Sequence, residues 1–134
     1  MIVVLAVLGL VAGLVLARGA PRSAALEMRA ATGAVAQAMR VARTRAIMSN
    51  QLVTVVFNPR AGTLRIGAGA PRSLPAGTAM SLVTTADLAG AQAGIAFMPD
   101  GSSSGGRVEL ARDGRHARIG VDWLTGRVTV ADDL

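Results

Sequence analysis

Few side chains in this 134-residue sequence have the chemistry to act on a substrate. His116 is the only histidine, and cysteine is absent. A nucleophile–base pair of the hydrolase type therefore lacks its parts, and thiolate metal sites and disulfides are excluded. The carboxylates are scattered; Asp132 and Asp133 adjoin each other, but near an end of the chain, where structure usually frays. The one stretch with the makings of a pocket is Pro99, Asp100, Gly101, Ser102, Ser103, Ser104, Gly105 and Gly106. Its amides could form an anion nest, or Asp100 and the serines could offer oxygens to a cation. No lysine follows the glycines and no helix pattern comes next, so neither the phosphate-loop nor the dinucleotide fingerprint fits. One firm carboxylate is too few for tight calcium binding. The stretch reads as a structural connection between strands and His116 as a surface or edge residue. The chain reads as a non-enzyme, with no cofactor and no metal.

The net charge is +6, and all fourteen basic residues are arginine. Their number fits either a GC-rich genome or a use for the planar guanidinium fork. Met1 to Ala86 holds nine of them against Glu27 alone, whereas Asp87 to Leu134 holds five against seven carboxylates. A nucleic-acid binder gathers positive charge on one folded face. Here much of it (Arg18, Arg22, Arg29, Arg40, Arg43, Arg45) falls on one predicted helix, and nucleic acid is not the expected partner.

The elements that must position these residues are legible from periodicity. Residues 23–48 repeat at helical spacing, with Met28, Ala31, Val35, Met39, Ala42 and Ala46 on one face. Arg29, Gly33, Gln37, Arg40 and Thr44 fall on the other. Ser23 is a cap and Asn50 a left-handed terminator. After Asn50 the period changes to two. Strands are predicted over 51–57, 63–66, 78–84, 94–98, 107–112, 116–122 and 127–131, with loops at 67–77 and 99–106 and no clear reading for 86–94. The last three strands form an antiparallel meander. The core is built from aliphatic residues, because Phe57, Phe97 and Trp123 are the only aromatics.

Ahead of all this, Met1 to Ala17 carries no charge. As a helix it spans ~25 Å, a little under a ~30 Å hydrocarbon core. A transmembrane helix is the expected reading; a cleaved signal peptide and a buried soluble helix are the alternatives. Ala6, Gly9 and Gly13 place small side chains along one stripe, and Gly9 and Gly13 form a G-x-x-x-G pair that lets helix backbones approach closely in lipid. Pro21 is expected to bend the helix that continues beyond it. The organisation that follows is 1–17 transmembrane, 18–50 amphipathic continuation and 51–134 antiparallel β domain. The fold class is α+β.

Three segments together resemble the GspH/FimT family of type IV pilin-like minor pseudopilins. One runs from Ala42 to Phe57, the helix-to-strand junction. Another runs from Phe97 through the 99–106 loop to Leu110. The third, Val121 to Val128, contains Asp122, Trp123, Leu124, Thr125, Gly126 and Arg127. The resemblance implies a structural subunit near the tip of the periplasmic pseudopilus of type II secretion, which supports export of folded proteins across the outer membrane. It implies a single pass through the bacterial inner membrane with the C-terminal domain in the periplasm. Its implied partners are other minor and major pseudopilins, the inner-membrane secretion platform, and a prepilin peptidase if an upstream leader exists. Family members carry a basic leader and a short Gly-to-Glu motif ahead of the apolar run. Met1 stands where a residue just after that glutamate is expected, so the expectation is either that it is an internal methionine or that the sequence was cut there. The rival reading is a FimT-like minor pilin that binds DNA in uptake, against which the acidic Asp132–Asp133 pair counts.

Overall fold

The computed structural model describes residues 1–17, 23–84 and 93–133. The expected bend at Pro21, the basic positions Arg18 and Arg22, and most of the uncertain stretch 86–94 lie outside the described residues.

Helix α1 spans Ile2–Ala17, and none of its residues is buried. Its sixteen residues make a rod ~24 Å long. Among the described residues no helix is long and apolar enough to cross a membrane. Its surface is apolar on every side, with Ile2 at 84% and Leu16 at 80% exposure. A helix greasy all round needs cover from lipid or from other helices.

Helix α2 spans Ala24–Ser49. The Ser23 hydroxyl accepts from the Leu26 amide at 3.2 Å, and Asn50 ends the helix in the left-handed conformation. All six residues of the expected apolar face are buried, and the five of the polar face are exposed. Thr32 also turns inward; its hydroxyl donates to the Met28 carbonyl at 2.8 Å, so the buried oxygen is satisfied within the helix. Five fully or almost fully buried alanines, at 31, 36, 38, 42 and 46, let strands approach the helix axis closely.

Eight strands follow: β1 (Val53–Asn58), β2 (Thr63–Ile66), β3 (Arg72–Ser73), β4 (Ala79–Val83), β5 (Ala93–Phe97), β6 (Gly106–Arg112), β7 (Arg115–Val121) and β8 (Val128–Asp133). They form two four-stranded antiparallel sheets, in the orders β3-β2-β1-β5 and β4-β6-β7-β8. The second contains the expected meander β6-β7-β8. Strand β3 lies inside the stretch expected to be loop, held by β2 through the pairs Thr63↔Ser73 and Leu64↔Arg72.

Helix α2 contacts β1, β2 and β5 of one sheet and β6, β7 and β8 of the other. Val55, Phe57, Leu64, Ile95 and Phe97 point inward from the first sheet, and Met80, Val108, Leu110 and Ile119 from the second. Phe57 and Phe97 are completely buried, a contribution of about 2–3 kcal/mol each. At the start of α2, Arg112 pairs with Glu27 and donates to the Ala76 carbonyl, tying the helix to the β6–β7 hairpin and to the approach to β4.

Candidate functional site

The chain crosses from the first sheet to the second at 98–105, between β5 and β6. The crossing is closed by side chains of its own sequence. The Asp100 carboxylate accepts from the Ser102 hydroxyl at 2.6 Å and from the Ser102 amide at 2.9 Å. Those bonds hold the Asp100 carboxyl below the ordinary carboxylate range, the hydroxyl contributing most. The Ser102 carbonyl accepts from the Met98 amide, and the Met98 carbonyl from Gly101, closing a tight turn. Gly101 sits there at φ 89°, a conformation that favours glycine.

The next two serines bridge the sheets. Ser104 lies along β5: its amide donates to the Ala96 carbonyl at 2.9 Å, and its hydroxyl accepts from the Ala96 amide at 3.1 Å. Ser103 faces the other way. It is 3% exposed; its amide donates to the Trp123 carbonyl at 2.8 Å and its hydroxyl to the Asp122 carbonyl at 2.9 Å. The same hydroxyl accepts from Gly105 at 3.0 Å. Two consecutive serines thus use backbone from β5 and from the β7–β8 turn, one sheet each.

That turn is built the same way. One Asp122 oxygen accepts from the amides of Leu124 and Thr125, both at 2.9 Å, and from the Thr125 hydroxyl at 3.1 Å. The Thr125 amide and then its hydroxyl do most to hold the Asp122 carboxyl below the ordinary range. The Gly126 amide returns to the Asp122 carbonyl, and the Asp122 amide to that of Arg127.

The two loops meet over α2. Arg43, one turn from buried Met39, donates through Nε to the Gly101 carbonyl at 3.0 Å. Gly126, at φ 66°, lies against both: a Cβ there would stand 2.1 Å from the Gly101 oxygen and 2.8 Å from Arg43 Nε. Only a hydrogen fits. The result is a clasp that fixes the two sheets and the helix to one another.

The sequence-derived candidates divide accordingly. Asp100 to Gly105 and Asp122 to Gly126 come together in the clasp, with Pro99, Gly106 and Arg127 at its margins. One Asp100 oxygen and the hydroxyls of Ser102, Ser103 and Ser104 are engaged in hydrogen bonds of the clasp, and the loop joins β5 to β6. Among the described residues no three metal-ligating side chains gather. His116 lies exposed on β7. Ala6, Gly9 and Gly13 lie far back in sequence on α1, with nothing within 4 Å of a Cβ added to either glycine. Charge and residue type do not set Arg43 apart from the other arginines of the helix. Its position four after Met39 and three before Ala46, on the border of the buried stripe, was the available signal.

Leu124, at 63% exposure, and Trp123, at 65%, project outward from the clasp. Trp123 borders a groove of about 890 Å³ on the outer face of the second sheet.

Comparison with known proteins gives a consistent picture. The family described as "Type II transport protein GspH" matches residues 31–126, from the buried face of α2 through the second clasp loop. Type II secretion system protein H of Xanthomonas campestris pv. campestris is 29% identical over 105 residues, which cover 77% of this chain and 62% of that protein. The chain therefore spans less than two thirds of the length of this curated relative. The minor pseudopilin EpsH from the type 2 secretion system of Vibrio cholerae superposes with a TM-score of 0.64 at 12% identity, over 79% of this chain and 97% of that one. The type IV minor pilin FimU of Pseudomonas aeruginosa superposes at 0.62 and 13% identity, over 78% and 88%. At such identities these likenesses establish the fold, a helix followed by antiparallel sheets.

Proposed function

The chain belongs to the GspH family of type II transport proteins, and from that premise we propose that it is a minor pseudopilin, a structural subunit of a type II secretion filament. The observation that carries the reading is the pairing of α1, exposed and apolar on every side, with a separate head whose own core is already complete. Such a helix gains nothing from its own chain. It gains stability by leaving water for lipid, and again by packing among similar helices. On this reading α1 anchors the subunit in the bacterial inner membrane in a single pass, with residues 51–134 in the periplasm. The subunit later moves into the filament core near its tip. Other minor and major pseudopilins and the inner-membrane platform are its partners, and a prepilin peptidase processes any leader ahead of the apolar run. The clasp then serves as a brace, keeping the head rigid while the filament transmits force; it performs no catalysis.

Ala6, Gly9 and Gly13 are the proposed close-contact stripe between helices. They lie within about 60° of one another at 100° per residue. Replacing both glycines by leucine leaves the head untouched and lowers co-purification with partner pseudopilins; unchanged co-purification refutes the stripe.

The functional test is deletion in the native bacterium with complementation by the wild-type chain. Folded exoproteins are expected to accumulate in the periplasm and to fall in the culture supernatant. Normal secretion together with loss of DNA uptake or pilus-dependent movement would transfer the subunit to a type IV pilus, the role of FimU-like and FimT-like relatives.

A further inference from the structure

The outer face of the second sheet carries a feature that a brace does not require. Cross-strand register places Val83, Arg107, Gly120 and Thr129 in one row on β4, β6, β7 and β8. Gly120 leaves a gap in that row between two longer side chains. The gap opens into the groove of about 890 Å³, bounded by Val83 on one side and Trp123 on the other. Both are about two-thirds exposed, at 64% and 65%. Two guanidiniums complete it. Arg107 is half exposed, and among the described residues its one ion-pair partner is Glu109, at 3.8 Å. Arg127 is exposed and makes no ion pair among the described residues. The one carboxylate in the lining, Asp122, already accepts three hydrogen bonds within its own turn.

We propose that this groove is a docking site for an acidic peptide segment bearing an apolar side chain, presented by another protein. The apolar side chain would lie against Trp123 and Val83 over the glycine floor, where an aromatic face removes most area from water at little cost in order. Its carboxylates would meet Arg107 and Arg127, whose planar forks match carboxylate geometry. A phosphate backbone fits less well. Glu109 and Asp122 interrupt the positive charge, and two arginines make no continuous basic track. The inference does not depend on which filament the chain serves.

Trp123 is the only tryptophan, so its emission reports the groove directly. The full-length chain in non-ionic detergent would be excited at a wavelength selective for tryptophan. It would be titrated with the peptide acetyl-Asp-Leu-Asp-Phe-amide, its lysine-for-aspartate counterpart and a short oligothymidine. A saturable blue shift is expected with the acidic peptide alone. Arg107→Ser and Arg127→Ser should each weaken it about tenfold, the loss of one good charge-assisted contact. Gly120→Val fills the floor and should abolish it; its Cβ would stand 3.3 Å from Thr129 Oγ1, which must turn aside, so the melting temperature is measured alongside. If that variant misfolds, the two arginine variants decide the matter. The proposal is overturned if the acidic peptide gives no saturable shift or if the lysine peptide binds equally well. It is also overturned if the oligonucleotide alone binds, or if acidic-peptide binding survives the arginine substitutions.

Discussion

Replacing Gly126 by alanine tests the clasp most directly. Two costs are separable. Holding a residue with a side chain at φ 66° costs about 1–2 kcal/mol. The added methyl would also stand 2.1 Å from the Gly101 oxygen, which must move away. Moving it breaks the bond from Arg43 Nε, and a hydrogen bond to a charged group is worth about 1.5–3 kcal/mol. The sum is about 3–5 kcal/mol, a large part of the ~5–15 kcal/mol that holds a domain of this size. Urea denaturation of the full-length chain in non-ionic detergent, followed by far-ultraviolet circular dichroism, reads this as a fall in midpoint. With a slope of ~1–3 kcal/mol per molar the fall is about 1–5 M. Gly62→Ala is the internal control. Its φ is 64°, but nothing lies within 4 Å of the added carbon, so only the conformational cost of about 1–2 kcal/mol applies. Arg43→Ala sharpens the test. In that background Gly126→Ala should cost about 1.5–3 kcal/mol less, because the bond it would break is already gone. Equal losses for Gly126→Ala and Gly62→Ala would refute the idea that the second loop locks the first onto α2.

Ser103→Ala removes a buried hydroxyl that joins the Asp122 carbonyl to the Gly105 amide, and should cost about 1–3 kcal/mol in the same assay. Ser81→Ala, on the exposed face of β4, should cost far less. The Asp122 carboxyl titrates below its unfolded value, so its stabilisation is complete above that value and disappears as pH falls through the folded one. The wild-type chain should therefore lose stability below about pH 4. Asp122→Asn, which removes the titration, should show a shallower decline over the same window, measured by urea midpoints at successive pH values. Arg112→Met keeps the apolar stem but leaves Glu27, about one quarter exposed, without its cation. Discounted for that exposure, the expected loss is about 1–2 kcal/mol. It should be largely relieved in the double variant with Glu27→Gln.

Much of this architecture could be read from local pattern. The six apolar residues of α2 recur every three or four positions, and Ser23 and Asn50 are chemically suited to their ends of the helix. The meander could be read because tight turns at Asp113-Gly114 and around Leu124-Thr125-Gly126 punctuate alternating strands. Strand β3 escaped notice for a physical reason: two residues, Arg72 and Ser73, are too few to show alternation, and they are held by backbone pairing with β2. The division into two sheets was equally hidden, because strand order depends on contacts distant in sequence. The signature loops were visible as words in the sequence, but not as a device. Their meaning rests on Arg43 and Gly101, fifty-eight residues apart, and on the room that Gly126 alone leaves for that bond.

The apolar helix α1 has a less obvious consequence. Because its circumference shows no gradient from oily to polar, transfer into hydrocarbon is indifferent to azimuth; the rod could swivel about its long axis at no solvation cost. On the reading proposed above, the asymmetry that matters is steric: a shallow furrow where Ala6, Gly9 and Gly13 take the place of branched side chains. If such rods stack as proposed, their angular registry would come from that furrow, or from how the heads abut one another.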